Sequence, residues 1–418
     1  MGAARYVGGN GGMAMSERIL IAGAGPAGAA LALAMLQAGL PVTALGLIDA
    51  TAGPADGLRG PDSRILALNA GSRRLLEALG VWEALATEAH PMRSIALSDT
   101  ALESNIRLQS LGFEAEPGEP LAHLVPLGLL QATLRAALAG AGLSVRPEIL
   151  RAFRADENSL MVETNRGRQN VSLLIGADGA RSAVRRLVGI PVHGWAYGQV
   201  AITGIVEHSG PHHGEAVQHF LPGGPFALLP LDEGRSSMVW SERADVAKRM
   251  LALPPDDLRA EIDRRAAGWR GTITGIGRVS SHPLALGLAR RFVGPRLALV
   301  ADAAHVVHPL AGQGLNLGFG DAATLAELVI DHLRLGLDPG DPALLETYQA
   351  RRRPAAAAMA AATEGLNRLF SNEIGPLRVL RDAGLGLVNR SERMKAMFRE
   401  AASGNGRQQP RLMRGEAL

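Results

Sequence analysis

Cysteine is absent from all 418 residues. That excludes disulfides, thiolate metal sites and thiol catalysis, including a disulfide-relay flavoenzyme. A chain with no disulfide to protect suits a reducing compartment, so a cytoplasmic location is expected. Long apolar runs are missing too: no stretch of eighteen apolar residues occurs, and no transmembrane helix is expected. Lysine is almost absent, since Lys248 and Lys395 are the only lysines among 43 basic residues. With a net charge of only +3, the pI of about 9.7 reflects the choice of arginine more than an excess of basic groups. Aromatic residues are 4% of the chain and interleave with no basic block, so no nucleic-acid partner is expected. Residues 1–15 lack the apolar core of a secretory signal and read as a flexible leader.

What is present is a globular composition, 47% hydrophobic and 20% charged, on a chain long enough for two domains. The informative stretch is 297–333. Residues 297–300 form an apolar run of buried-strand length, Asp302 follows, and a helical pattern (Leu317, Ala322, Leu325, Leu328, Val329) begins beyond the glycines. In an open α/β sheet, ligands sit outside the carboxyl ends of the strands, where backbone N–H groups of a helix N-terminus face them. Gly312 and Gly314 permit close backbone approach. Asp302 can accept hydrogen bonds from a polyol, and the amides near Leu315 and Asn316 can donate to an electron-rich ring edge. The alternative is an ordinary glycine-rich turn with a capping aspartate.

Two further stretches have the same form. Residues 18–22 (RILIA) are a short strand followed by Gly23-Ala24-Gly25-Pro26-Ala27-Gly28, the G-x-G-x-x-G pattern in its required strand-to-helix context. Pro26 opens the helix, where a missing N–H costs nothing. A second strand, 41–48, ends in Asp49, which lies 21 residues past Gly28, near the spacing at which an acid receives ribose hydroxyls. The other role open to Asp49 is that of a turn residue. The buried strand 173–175 ends in Gly176-Ala177-Asp178-Gly179.

Elsewhere the pattern predicts a helix with Leu75, Leu76 and Leu79 that stops at Gly80, and a helix over 127–138. Residues 91–120 alternate (Ile95, Leu97; Ile106, Leu108), as strands of a second sheet would. Residues 200–240 are strand-rich around the hairpin signal Asp232-Glu233-Gly234. Another helix spans 256–269. From Leu344 the chain is helical with breaks near Pro376 and 384–386, and 404–418 is expected to be a flexible tail.

Together the motifs resemble the class A FAD-dependent monooxygenases, in the branch of the ubiquinone-biosynthesis hydroxylases. The resemblance rests on GAGPAG at 23–28, GADGARSAVRR at 176–186 and ADAAHVVHPLAGQGLNLGFGDA at 301–322. The branch is carried by DSRILALNAGSRRLLEALGVW at 62–82, GPFALLPL at 224–231 and TEGLNRLFSN at 363–372. Two departures stand out. Ala301 replaces the family's usual glycine and is expected to crowd the flavin approach, and Gly128 stands where relatives carry a polar or basic side chain.

The resemblance implies an α/β fold: a Rossmann-like FAD-binding domain with an inserted β-sheet substrate domain and C-terminal helices. The expected division is 16–90, 121–195 and 291–345 for FAD, 91–120 and 196–290 for substrate, and 346–403 for the helices. It implies FAD on Gly23, Ala24, Gly25, Ala27, Gly28, Asp49, Arg64, Gln131, Asp178, Asp302, Gly312, Gln313, Gly314, Leu315 and Asn316. Arg181 belongs to the motif that the family uses for FAD and nicotinamide together. NAD(P)H is implied as a transient co-substrate, with oxygen used to hydroxylate the ring of a prenylated phenol or quinone intermediate. The flavin carries the chemistry, and Arg64, His193, Tyr197, His219 and Pro309 are the candidate side chains around it. His305 and His308 have no further ligand at helical spacing, so loop-structural roles are expected and no metal. Residues 366–398 interleave apolar and basic side chains, which suggests core packing or a peripheral membrane or lipid-biosynthesis-complex surface, the membrane being the inner one. Two other readings share these motifs: an FAD-dependent reductase or dehydrogenase of a prenyl lipid, and an inactive flavin-bearing scaffold subunit.

Overall fold

The computed structural model describes residues 18–51, 64–99, 111–116, 118–269, 271–309, 312–370 and 409–418. Its centre is a five-stranded sheet in the order β18 (Val293–Gly294), β19 (Leu297–Leu299), β11 (Leu173–Gly176), β1 (Ile19–Ala22) and β2 (Leu45–Ile48). The last four are parallel and β18 is antiparallel. Each parallel strand is an uninterrupted apolar run, and every residue in it is buried, as a sheet covered on both faces requires. Helices α1 (Pro26–Gln37), α2 (Ala70–Ala78), α4 (Leu127–Gly140) and α8 (Gln313–Arg334) complete this core. The small residues of α1 let it pack closely against both α4 and α8. Short β8 (Leu150–Ala155), β9 (Leu160–Thr164) and β10 (Gly167–Val171) form an antiparallel appendage ahead of β11.

The large sheet runs β20 (His305–Val306), β17 (Ser280–Ala289), β12 (Val192–His208), β15 (Arg235–Arg243), β14 (Gly224–Pro230), β13 (Glu215–Leu221), β5 (Ser94–Asp99) and β6 (Leu111–Glu114). β16 (Ile273–Ile276) also pairs with β12. Side chains alternate across it. Ile202, Phe226, Leu228, Met238 and Trp240 point to one face, which α6 (Ala244–Leu251) and α7 (Pro255–Ala266) cover with Ala247, Leu258 and Ile262. Ile205, Leu229 and Leu231 meet a third sheet, β3 (Ile65–Leu68), β7 (Ala122–Pro126) and β4 (His90–Met92), through Ala67, Ala122 and Leu124. β20 follows directly on Asp302, so the large sheet is hydrogen-bonded to the loop that leaves the parallel sheet. The remaining helices are α3 (Glu83–Ala86), α5 (Ala183–Leu187) and α9 (Pro342–Phe370).

Several expectations are corrected. The strand expected over 41–48 is only β2, because residues Val42–Ala44 form a 3-10 turn. α8 starts at Gln313, so Gly314 lies inside its first turn and not ahead of the helix. α6 was not expected; its eight residues show too few apolar repeats to register. Residues 90–92 pair in the small sheet with β7 instead of joining the large one. The end of the chain does not hang free: Leu412 and Met413 are buried in the central core, and Arg411 pairs with Glu327 and Asp331 of α8. A tail rich in arginine and glutamine reads as solvated when only its polarity is counted. The expected leader, the strand expected around Ile106 and Leu108, the breaks near 376 and 384–386, residues 371–398 of the mixed apolar and basic surface, and 404–408 lie outside the described residues. Among the described residues no helix is long and apolar enough to cross a membrane.

Candidate functional site

The register of the parallel sheet aligns its carboxyl ends. Ala22 pairs with both Gly176 and Ile48, and Gly176 pairs with Leu299. The ladder continues one step further, with Gly23 N–H donating to Ile48 O, Ala177 N–H to Ala22 O and Val300 N–H to Gly176 O, at 2.7–2.9 Å. The residues emerging from that edge are therefore Gly23, Asp49, Asp178 and, past Val300, Asp302. Strand order departs in opposite directions on the two sides of β1, which is where an open α/β sheet forms its ligand crevice.

Each glycine of the first motif meets a different constraint. A Cβ on Gly23 would lie 2.2 Å from Ala177 O, so this turn can pass over the 176–179 segment only as glycine; its φ is +109°. A Cβ on Gly28 would lie 2.1 Å from Gly23 O. Around Gly25, by contrast, a Cβ would meet nothing within 4 Å. Gly25 caps α1 with extended backbone and no side-chain bond, leaving the first-turn amides facing that open space. Ala24 N–H donates to Asp49 Oδ2 at 2.9 Å, and Oδ1 accepts from the Thr51 amide and hydroxyl, both at 2.7 Å. Asp49 is thus a turn residue and still half-exposed beside the crevice, so the two roles open to it are compatible.

The 300–316 loop carries the second half of the site. Ala301 has φ +53°, the left-handed conformation that favours glycine. Its methyl is turned onto α8, where a Cβ on Gly318 would come within 2.7 Å of it. Asp302 is exposed at its surface yet enclosed by surrounding protein, and that desolvation raises its pKa against the opposing charges of His305 and Arg64. Arg64, 238 residues earlier in the chain, is thereby within electrostatic reach of Asp302. Gly312 has φ +64° and caps α8 without a side-chain bond, so the amides of Gln313, Gly314 and Leu315 precede the first intrahelical hydrogen bond. Nothing lies within 4 Å of a Cβ placed on Gly314. Asn316 is buried, with its side chain committed to protein: Nδ2 donates to Ala67 O at 2.9 Å, and Oδ1 accepts from the Asn69 amide and the Ser72 hydroxyl. Only its backbone remains to face a ligand.

A buried ionic brace, not evident in the sequence, holds this loop. Asp321, fully buried on α8, receives His305 Nε2 at 2.6 Å, the Ala301 amide at 3.0 Å and Arg352 Nε from α9 at 2.7 Å. Burial would raise the Asp321 pKa, but His305 and Arg352 hold it below the usual range. Arg185 on α5 ties the second motif to the third by donating to Ala303 O at 2.7 Å. Asp178 Oδ2 accepts from the Ala183 and Val184 amides and so caps α5, while its Oδ1 is buried without a partner beside the crevice. No local pattern in the sequence marks Asp321 and Arg352 as partners, because many arginines are available.

The remaining candidates separate. Tyr197 packs edge-on against His308, ring centres 5.1 Å apart, next to Pro309. Burial, with the Glu364 carboxylate beside it, raises the Tyr197 phenol well above its ordinary range. His193 lies on the exposed outer part of β12. His219 stacks on Phe226 and bonds Ser98 Oγ at 2.6 Å, on the sheet face that α6 and α7 cover. Gln131 is half-buried on α4, and the position of Gly128 one turn earlier is open space. Among the described residues no group of three or more metal-binding side chains occurs.

The family described as FAD binding domain matches residues 17–363. A ubiquinone hydroxylase of Rhodospirillum rubrum, UbiL, is 40% identical over 406 residues, covering 96% of this chain and 93% of that protein. The 3-demethoxyubiquinol 3-hydroxylase of Escherichia coli is 33% identical over 395 residues, covering 92% and 98%. Among solved structures, p-nitrophenol 4-monooxygenase of Pseudomonas putida superposes with a TM-score of 0.74 at 19% identity, over 94% of this chain and 100% of that one, a likeness of fold.

Proposed function

Because the chain belongs to the FAD binding domain family, and within it to the flavin-dependent hydroxylases of ubiquinone biosynthesis, we propose that it hydroxylates the ring of a prenylated phenol. It is an FAD-dependent monooxygenase acting on an aromatic ring, with molecular oxygen and a phenolic or quinone intermediate as co-substrates. The observation that carries the reading is the row of Gly23, Asp49, Asp178 and Asp302 on one sheet edge, with two open helix N-termini beside it. Bound FAD supplies the redox chemistry, accepting hydride from NAD(P)H and activating oxygen.

The protein binds, orients and excludes water. The α1 amides at Gly25 suit a pyrophosphate, Asp49 a ribose, and Asp302, paired electrostatically with Arg64, the ribityl hydroxyls. The α8 amides at 313–315 face the electron-rich edge of the ring system, where a helix N-terminus favours negative charge. Asp178 Oδ1, buried and without a partner, is a further acceptor toward FAD or the nicotinamide. The brace of Asp321, His305 and Arg352 fixes the loop so that these groups need no reorganisation on binding.

The prenyl preference rests on a wall of apolar side chains. Leu229, Leu231, Ile205, Ala67 and Leu124 lie between the large sheet and the small one, and Ala67 is 3.1 Å from where a Gly312 Cβ would sit. Phe226 and Leu228 belong to the opposite, helix-covered face, so only the alternate residues of 226–231 face the small sheet. One buried five-carbon unit would contribute roughly 3 kcal/mol at ~0.8 per carbon. The test is oxygen uptake that depends on a prenylated phenol, with a matching hydroxylated product. NAD(P)H oxidation with no such product would leave a reductase, and equal turnover of an unprenylated hydroxybenzoate would reject the prenyl-binding wall.

A further inference from the structure

Beside Pro309 the structure gathers buried polar atoms, several of them without a hydrogen-bond partner. His308 has no exposed surface, and neither ring nitrogen makes a hydrogen bond. Tyr197 Oη, from β12, is buried and reaches toward Glu364 of α9 without closing a well-formed bond. Glu364 pairs with Arg368 one turn along, yet both of its oxygens are otherwise unbonded. Trp195 lies edge-on to Tyr197, with Arg368 over its outer face. Three separate elements thus deliver donors and acceptors to one small volume, and leaving such groups unmatched costs about 1–3 kcal/mol each. His308 lies on the same loop as Asp302, four residues before Gly312, the cap of the helix assigned to the flavin edge.

Resting on the reading of this chain as a phenol hydroxylase, we propose that Tyr197, His308 and Glu364 form the receptor for the substrate's ring hydroxyl, with His308 as its hydrogen-bond acceptor. A neutral imidazole offers one acceptor and one donor nitrogen. The acceptor takes the phenol O–H, which enriches the ring in electron density, and the donor nitrogen lies in the field of Glu364. Burial holds His308 neutral, its pKa lowered to about 4. The proton stays on the phenol oxygen in the bound complex, so the step consumes no co-reactant. Tyr197 keeps its own proton and acts as a wall.

The experiment is calorimetric titration of the FAD-loaded enzyme with a short-chain prenylphenol and with its O-methyl ether, which has no proton to donate. Wild-type protein should bind the phenol more tightly by roughly tenfold or more, the value of one hydrogen bond in a dry site. His308→Leu should abolish that preference while retaining flavin, and His308→Gln should restore part of it. An undiminished preference in His308→Leu overturns the proposal. If His308→Leu fails to retain flavin, His308→Gln decides: a reduced preference supports the proposal and an undiminished one overturns it. Hydroxylation of the phenol by wild-type protein is measured in parallel, so failure of the hydroxylase reading shows separately as no product.

Discussion

Asp302 combines two opposing demands. Desolvation favours its neutral form, while Arg64 and His305 favour the carboxylate, and a polyol placed against it would supply the hydrogen bonds that water otherwise gives. Its replacement by alanine should remove a charge-assisted partner of roughly 1.5–3 kcal/mol and lower the flavin content of purified protein. Flavin released by heat is the readout; full occupancy in Asp302→Ala would sink the assignment. His308 predicts a pH effect of definite sign. The unfolded chain protonates this histidine below its ordinary 6.5, whereas the folded chain resists until about 4. Stability is therefore whole above pH 6.5 and is lost as pH falls toward 4, on the order of 3 kcal/mol for the full span. His123, lowered to about 4 by burial and by Arg73, acts in the same direction. Denaturant midpoints measured from pH 7 to 4.5 should fall less steeply in His308→Asn, and an unaltered slope would refute the buried neutral imidazole. Asp302 was readable in the sequence because a strand and a glycine loop flank it. The partnerless state of His308 was not, since it depends on β12 and α9 arriving from distant parts of the chain.

Among the elements, α8 does the most positioning. Its first turn carries no side-chain cap, Asn316 ties it to β3 and α2, Asp321 ties it to β20 and α9, and Gly318 receives the methyl of Ala301. The last pair explains how a non-glycine residue is tolerated before Asp302: the left-handed turn is strained, but the methyl has a socket. A second methyl at Gly318 would sit 2.7 Å from the first, closer than any real contact, so the turn carrying Asp302 must shift. Gly318→Ala should therefore lose stability and flavin together, by about 1–3 kcal/mol for an overpacked site. Ala301→Gly should restore most of it, giving a coupling well above the few tenths of a kcal/mol found between independent sites. Additive effects of the two substitutions, read from thermal melts, would show that the socket is not what matters. The helix and its glycine cap were legible from periodicity; the socket was not, because substituting alanine for glycine predicts crowding in whichever direction the methyl points.

Over the whole molecule, local signals were legible where one strand, turn or helix carried its own pattern, as in β1 with its glycine turn or β14 and β15 with their hairpin. They failed where the deciding partner lay far along the chain. Arg352 finding Asp321 is one such case, and the chain's end is another. Residues 409–418 look solvated by composition, yet a short 3-10 turn over Arg411–Arg414 places Leu412 and Met413 in the central core, against α2 and α8. Around that apolar pair, the Arg411 amide donates to Glu327 at 2.8 Å, its guanidinium meets Asp331 at 2.7 Å, and Arg334 reaches the Leu418 carbonyl. The ion pairs are partly exposed and worth little each. The two buried side chains account for most of the gross gain, about 3–6 kcal/mol, against which the ordering of the segment counts. Deleting 409–418 should thus lower the melting temperature by several degrees, and Arg411→Ala much less. Because the contacts fall on the far turns of α8 and not on its first, the deletion should leave flavin content near wild type while the protein is folded. An unchanged melting temperature would mean that the terminal segment does not hold α8, and flavin loss at low temperature would mean that the two ends of that helix are coupled more tightly than its packing implies.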